Sequence, residues 1–168
     1  GEVIESVARA YPMDSYHQAA FSATYLDVVA QQELIAEVSL FFKKLEPDMV
    51  YLPYREDAHS DHESVFDAVV ACTKSFRYPF VKSLRAYETI SETEFGCRPQ
   101  GNTFKPNLWI DITSFLERKL AILALYKEEM GEHPFPRSEQ NLRALATVRG
   151  ATAGCESAEA FMILKEIC

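Results

Sequence analysis

Apolar residues in this sequence recur in short blocks, and the blocks switch between helical and strand spacing. Val3, Ile4 and Val7 share one face of a helix over residues 2–10. Residues 11–24 carry no sustained period, and Pro12 suggests a loop with room for one short strand. Asp27 is placed to cap a helix running to about Leu45. Its apolar positions Leu34, Ile35, Val38, Phe41, Phe42 and Leu45 recur at three and four, and Glu46-Pro47-Asp48 stops it. Met49 to Leu52 is apolar throughout and too short for a helix, so it reads as a buried strand. A polar loop over Pro53–Asp61 follows. The next helix spans Ser64–Phe76, with Val65, Phe66, Val69 and Val70 on one face, and Pro79 closes it.

The second half repeats the alternation. Phe80-Val81 and Leu84–Tyr87 predict a strand ending at Glu88. The polar stretch Thr89–Lys105, with Gly96, Pro99 and Gly101, is a long loop of the kind that carries function. Asn107–Ile110 is a short strand. Ser114-Phe-Leu-Glu117 has the form of a capping box opening a helix to about Met130, where Gly131 ends it. His133-Pro-Phe-Pro136 predicts a rigid extended connector, Glu139–Arg149 a helix stopped by Gly150, and Phe161–Leu164 a last strand. Helices alternating with short buried strands predict an α/β fold with a mostly parallel sheet in a single domain over residues 1–168. Four strands are fewer than a doubly wound sheet uses. Together with a start already inside a helical pattern, this leads us to expect that the domain is N-terminally incomplete, lacking a βα unit or two.

Composition narrows the function classes. At 168 residues the chain can bury a sizeable core. A formal net charge of −8, with basic residues scattered, argues against a nucleic-acid backbone binder and against docking on anionic lipid. No apolar run reaches the length of a membrane span. Cys72, Cys97, Cys155 and Cys168 form no C-x-x-C pair, which excludes a zinc ribbon and a dithiol motif. They read as free thiols in a reducing compartment, hence a cytoplasmic protein; a secreted protein with one or two disulfides is the alternative.

The chemistry concentrates in Asp57-Ala-His59-Ser-Asp61-His62, which gathers two of the four histidines and two carboxylates after a buried strand and before a helix. In α/β proteins that position holds ligands. Asp61 stands where an N-cap would, placing His62 in the first helical turn. Imidazole is a common zinc ligand, but a catalytic zinc uses three protein ligands and this loop offers at most two or three. The segment therefore either holds part of a metal site or only caps a helix with solvated polar residues.

The motif Asp57-x-His59-x-Asp61-His62, directly after Glu46-Pro-Asp-Met-Val-Tyr-Leu-Pro53, resembles a signature of the PIG-L / LmbE-like family of zinc-dependent N-deacetylases. The likeness continues, in family order, through Leu26-Asp27, Tyr87-Glu88, Ser91-Glu-Thr-Glu94, Phe104-Lys-Pro-Asn107, Asp111-Ile-Thr113, His133-Pro-Phe-Pro-Arg137, Arg149-Gly150 and Ala158-Glu-Ala-Phe161. It implies a Rossmann-like three-layer sandwich and removal of an N-acetyl group from an amino sugar or its conjugate. It makes His62 a Zn2+ ligand, His59 the group that protonates the leaving amine or stabilises the oxyanion, and Asp61 the carboxylate that orients His59. Asp57 would contact substrate or support these groups from behind. The family's other signature, a His-Pro-Asp-Asp-like segment supplying two further ligands and the general base, has no match here, so the resemblance implies an incomplete metal site and an inactive chain by itself. The partner implied is a small N-acetylated amino sugar, with no nucleic acid and no membrane span; homo-oligomerisation stays open. A non-catalytic carbohydrate- or partner-binding protein on the same fold is the alternative.

Overall fold

The computed structural model describes residues 2–97, 101 and 103–168. Pro99, singled out in the long loop, lies outside them. The helices are α1 (Glu2–Ala10), α2 (Gln31–Leu45), α3 (Ser60–Ala71), α4 (Leu116–Leu123) and α5 (Glu139–Ala153), with a single 3-10 turn at Leu26–Val28. The strands are β1 (Met49–Pro53), β2 (Ser83–Tyr87), β3 (Leu108–Asp111) and β4 (Ala158–Glu166). They form a four-stranded sheet in the order β1-β2-β4-β3. The α/β class expected from the pattern is the class observed. The sheet, however, is mixed rather than mostly parallel: β1 and β2 run parallel, while β4 runs antiparallel to β2. One helix separates β1 from β2 and returns the chain to the same end of the sheet. Two helices separate β3 from β4, and the chain re-enters from the other end.

By its contacts the chain divides into two compact units, one of Gly1–Gln18 with Trp109–Ala160 and one of Ala19–Leu108 with Phe161–Cys168. The second holds the Asp57–His62 loop. Its core is built on strand alternation: Val50 and Leu52 of β1 lie opposite Leu84 and Ala86 of β2, on one face. Phe42 of α2 and Val69 and Cys72 at the end of α3 pack there, with Leu52, Cys72, Val81 and Ala86 almost wholly removed from water. Leu52 and Val81, as fully buried aliphatic side chains, each contribute roughly 1.5–3 kcal/mol. Lys165 of β4 donates to the carbonyls of Thr73 and Val81, at 2.7 and 3.0 Å, and so ties the segment after α3 to the sheet.

Element positions follow the apolar pattern, and the departures are at ends and caps. α2 starts at Gln31, after Ala30, because Asp27 is taken up in the 3-10 turn. α3 begins four residues before Ser64, and it stops at Ala71 instead of Phe76, where Cys72 donates to Val69. The Tyr78–Val81 stretch is a turn, and the strand starts only at Ser83.

In the first unit the Ser114–Glu117 capping box is not made. Phe115 precedes α4 without a side-chain cap bond, and α4 ends at Leu123. Glu117 turns instead to the Arg143 guanidinium of α5 in an exposed two-pronged pairing. The expected extended connector is a pair of turns, Phe135 donating to Glu132 and Ser138 to Phe135. α5 runs through Gly150 and stops at Gly154, whose φ of 76° suits the left-handed residue that ends a helix.

α5 has a cap the apolar spacing did not reveal. The buried Ser138 hydroxyl accepts the Asn141 N–H at 3.3 Å. Ser138→Ala is expected to cost about 1 kcal/mol and to lower Tm by a few degrees in a thermal melt. No helix among the described residues is long and apolar enough to cross a membrane.

Candidate active site

β1 ends at Pro53, and the chain turns through Tyr54–His59 into α3, so the site loop leaves the carboxyl end of a strand as anticipated. The strand itself is buried only at Leu52 and Pro53, while Met49 and Tyr51 are exposed, so it is not the buried strand its apolar run predicts. Three sets of contacts hold it. Arg55 grips both oxygens of Asp67 at 2.8 and 3.0 Å, and also pairs with Glu63 and Glu56, fastening the loop to α3. The hydrogen bonds to Asp67, first among these, push the guanidinium still further above its usual range. Ala58 N–H donates to the Glu92 carbonyl at 3.1 Å, which fastens the loop to the turn after β2. Asp61 provides the third anchor.

Asp57 is fully buried, with none of its surface exposed. Its two oxygens are both engaged: Oδ1 accepts the Thr93 hydroxyl at 2.7 Å, and Oδ2 lies 2.7 Å from His62 Nδ1. A carboxylate so enclosed is turned away from any substrate and backs the imidazole. Burial, and after it the Asp57 charge, pushes the Tyr87 phenol above its ordinary value, so Tyr87 stays a neutral hydroxyl beside this pair.

His59, not Asp61, is the N-cap of α3. Its Nδ1 accepts the Asp61 backbone N–H at 3.1 Å, which Asp61 cannot do for its own amide. The Asp61 side chain serves elsewhere: Oδ2 accepts Thr24 N–H at 2.7 Å and Oδ1 accepts Leu26 N–H at 3.0 Å. Thr24 sits at φ 68°, a conformation that a β-branched residue rarely adopts, and the carboxylate holds that turn in place. The expectation that Asp61 orients His59 through its carboxylate is thus replaced by contact through its backbone.

His59 and His62 stack, with ring centroids 5.5 Å apart and planes 19° from parallel. Their hydrogen bonds assign the ring protons oppositely. An N–H donor at His59 Nδ1 leaves the neutral ring's proton on Nε2. A carboxylate at His62 Nδ1 holds the proton there and leaves Nε2 with its lone pair. One ring therefore presents a donor and its neighbour an acceptor, side by side.

His62, backed by Asp57, has the carboxylate–histidine arrangement that orients imidazole ligands on zinc. It fits one ligand position. Among the described residues no group of three His, Cys, Asp or Glu side chains is placed to hold a metal ion, so the set as a whole does not make a site. A separate cavity of about 270 Å³ in the other unit, lined by Tyr11, Phe115, Lys119 and Glu159 among others, includes none of these residues. Sequence reading gave no role to Arg55, and it met Thr93 only within the run Ser91–Glu94 that the resemblance covers.

No protein-family model matches the chain, and no curated protein matches it in sequence. Solved structures do. The conserved protein TT1542 from Thermus thermophilus superposes with a TM-score of 0.74 at 18% identity, over 99% of this chain and 73% of that one. The N,N'-diacetylchitobiose deacetylase of Pyrococcus horikoshii gives 0.74 at 19% identity, over 98% of this chain and 62% of that one. GalB, the 4-carboxy-2-hydroxymuconate hydratase of Pseudomonas putida KT2440, gives 0.64 at 14% identity, over 99% and 71%. The chain has the fold of the LmbE-like deacetylases. At such identities likeness establishes the fold alone, and a deacetylase and a hydratase sharing it show that the fold does not decide the chemistry.

Proposed function

We propose that this chain carries part of the active site of a zinc-dependent N-deacetylase of the PIG-L / LmbE type, acting on an N-acetylated amino sugar or its conjugate. The observation that carries the reading is the pair of stacked imidazoles with opposite ring protons. Amide hydrolysis needs an activated water, a donor for the tetrahedral oxyanion and a proton for the departing amine. His62 Nε2 offers the lone pair of a metal ligand. His59 Nε2–H offers the oxyanion donor.

The His59 geometry also separates its two candidate roles. To act as an acid, His59 would need a second proton on Nδ1 and would break its cap bond to the Asp61 N–H. Donating to the oxyanion breaks nothing, and we assign it that role. When bound, zinc supplies a Lewis acid and a water of lowered pKa. The two further protein ligands that such a zinc requires come, in this reading, from outside the described residues. The likeness in fold to a chitobiose deacetylase supports the substrate class.

The test is zinc titration by calorimetry on the wild type and on His62→Ala, with a deacetylase assay on an N-acetylglucosamine conjugate. His62→Ala is expected to weaken zinc at least about tenfold. Equal zinc binding by both proteins would remove His62 from the ligand set. The absence of a three-ligand cluster among the described residues favours a second reading, a non-catalytic carbohydrate-binding protein on this fold. It predicts sugar binding that is indifferent to zinc and to His62→Ala.

A further inference from the structure

We infer that Thr93 is a positioning residue: through Asp57 it fixes which nitrogen His62 presents. The turn that carries it is closed on itself, with both Glu92 N–H and Thr93 N–H donating to the Thr89 carbonyl at 2.9 Å. Within that turn the Thr93 hydroxyl accepts the Thr89 N–H at 2.8 Å. A hydroxyl has one proton, and with an N–H on its lone pair it directs that proton outward. The proton goes to Asp57 Oδ1, 2.7 Å away.

The consequence runs through the buried carboxylate. Asp57 has no contact with water, so both of its oxygens depend on protein donors. With Oδ1 occupied by Thr93, Oδ2 faces His62 Nδ1 and holds a proton there. Remove the Thr93 donor, and Oδ1 lies unsatisfied in a dry environment. The carboxyl group is then free to rotate away from His62, and the imidazole is free to place its proton on either nitrogen. The turn after β2 thus sets the chemistry of a histidine some thirty residues earlier without touching anything that reacts. The zinc arm of the following test rests on His62 being a ligand; the tautomer arm does not.

Ring 15N–1H correlation spectra of the whole chain, in mildly alkaline buffer, read the tautomer directly. The wild type should carry the His62 proton on Nδ1. Thr93→Val keeps the size of the side chain and removes the donor; it should shift the proton wholly or partly to Nε2 and weaken zinc about tenfold. Thr93→Ser keeps the donor and should restore both to within about twofold of wild type. A wild-type proton on Nε2 overturns the inference without any variant, as does Thr93→Val with unchanged tautomer and zinc affinity. If Thr93→Val fails to fold, the wild-type spectrum and Thr93→Ser decide. A wild type that takes up no zinc but loses its Nδ1 proton in Thr93→Val counts against a zinc site within this chain alone and supports the role of Thr93.

Discussion

Asp57→Asn is expected to leave a folded protein that has lost its affinity for zinc, whereas Asp57→Ala is expected to lose much of its stability. The two substitutions separate the jobs of one buried carboxylate. Alanine removes both acceptors and leaves the Thr93 hydroxyl and the His62 N–H facing the space that the buried carboxylate had filled. Breaking a buried, hydrogen-bonded charged contact costs about 3–5 kcal/mol. At roughly 2–4 °C per kcal/mol for a chain of this size, Tm should fall by about 10 °C.

Asparagine fills the same space. Its carbonyl still accepts from Thr93, but its NH₂ now points a donor at His62 Nδ1. The ring must answer with a lone pair there and carry its proton on Nε2, where no metal can bind. The stability cost is about one neutral hydrogen bond, ~1 kcal/mol, while zinc affinity should drop about 10–100-fold. Urea denaturation and zinc calorimetry on both variants check this. An Asp57→Asn protein that binds zinc like the wild type would show that Asp57 does not govern the ring.

The same residue shows where sequence reading stops. The density of His and Asp in residues 57–62 marked the loop, because such side chains seldom gather after a buried strand without a use. The direction in which Asp57 points was not legible, since it depends on Thr93, 36 positions along the chain. Asp61 and His59 exchanged expected roles for a similar reason. Either can cap a helix, and the choice is settled by Thr24 and Leu26, whose N–H groups claim the Asp61 carboxylate.

Caps elsewhere failed alike. Glu117 sits where a capping box needs it, but its carboxylate pairs with Arg143, 26 residues on. Apolar periodicity, by contrast, is a local property, and it placed the helices and strands in their order along the chain, although α4 ends at Leu123 rather than near Met130 and α3 is displaced by four to five residues at its ends. The antiparallel entry of β4 is again non-local: it appears only in the pairing of β4 with β2, whose residues lie some eighty positions earlier.

Gly96→Ala is expected to disturb the site loop from a distance, through backbone rather than through any functional group. A Cβ at position 96 would stand 2.2 Å from the Glu56 carbonyl oxygen and 3.3 Å from its carbon. Neither atom belongs to a flexible side chain that could swing aside. Glu56 precedes Asp57, and Ala58 is already tied to Glu92, so the loop and the turn after β2 must separate for the methyl group to fit. Overpacking of this kind costs about 1–3 kcal/mol, and contact with backbone puts this case near the upper end.

Gly131→Ala is the matched control. There the nearest atoms are Cδ1, Cγ and Cβ of Phe135 at 2.7, 2.9 and 3.1 Å, all in one exposed side chain that can turn aside and none in the backbone. Its cost should stay below about 1 kcal/mol. Because separation of loop and turn also pulls Thr93 from Asp57, Gly96→Ala should weaken zinc as well as lower Tm, while Gly131→Ala changes neither. Melting and zinc titration of the two variants side by side decide the matter. A Gly96→Ala protein as stable as Gly131→Ala would mean that the turn after β2 does not press on the site loop, and the coupling of Thr93 to His62 would lose its structural basis.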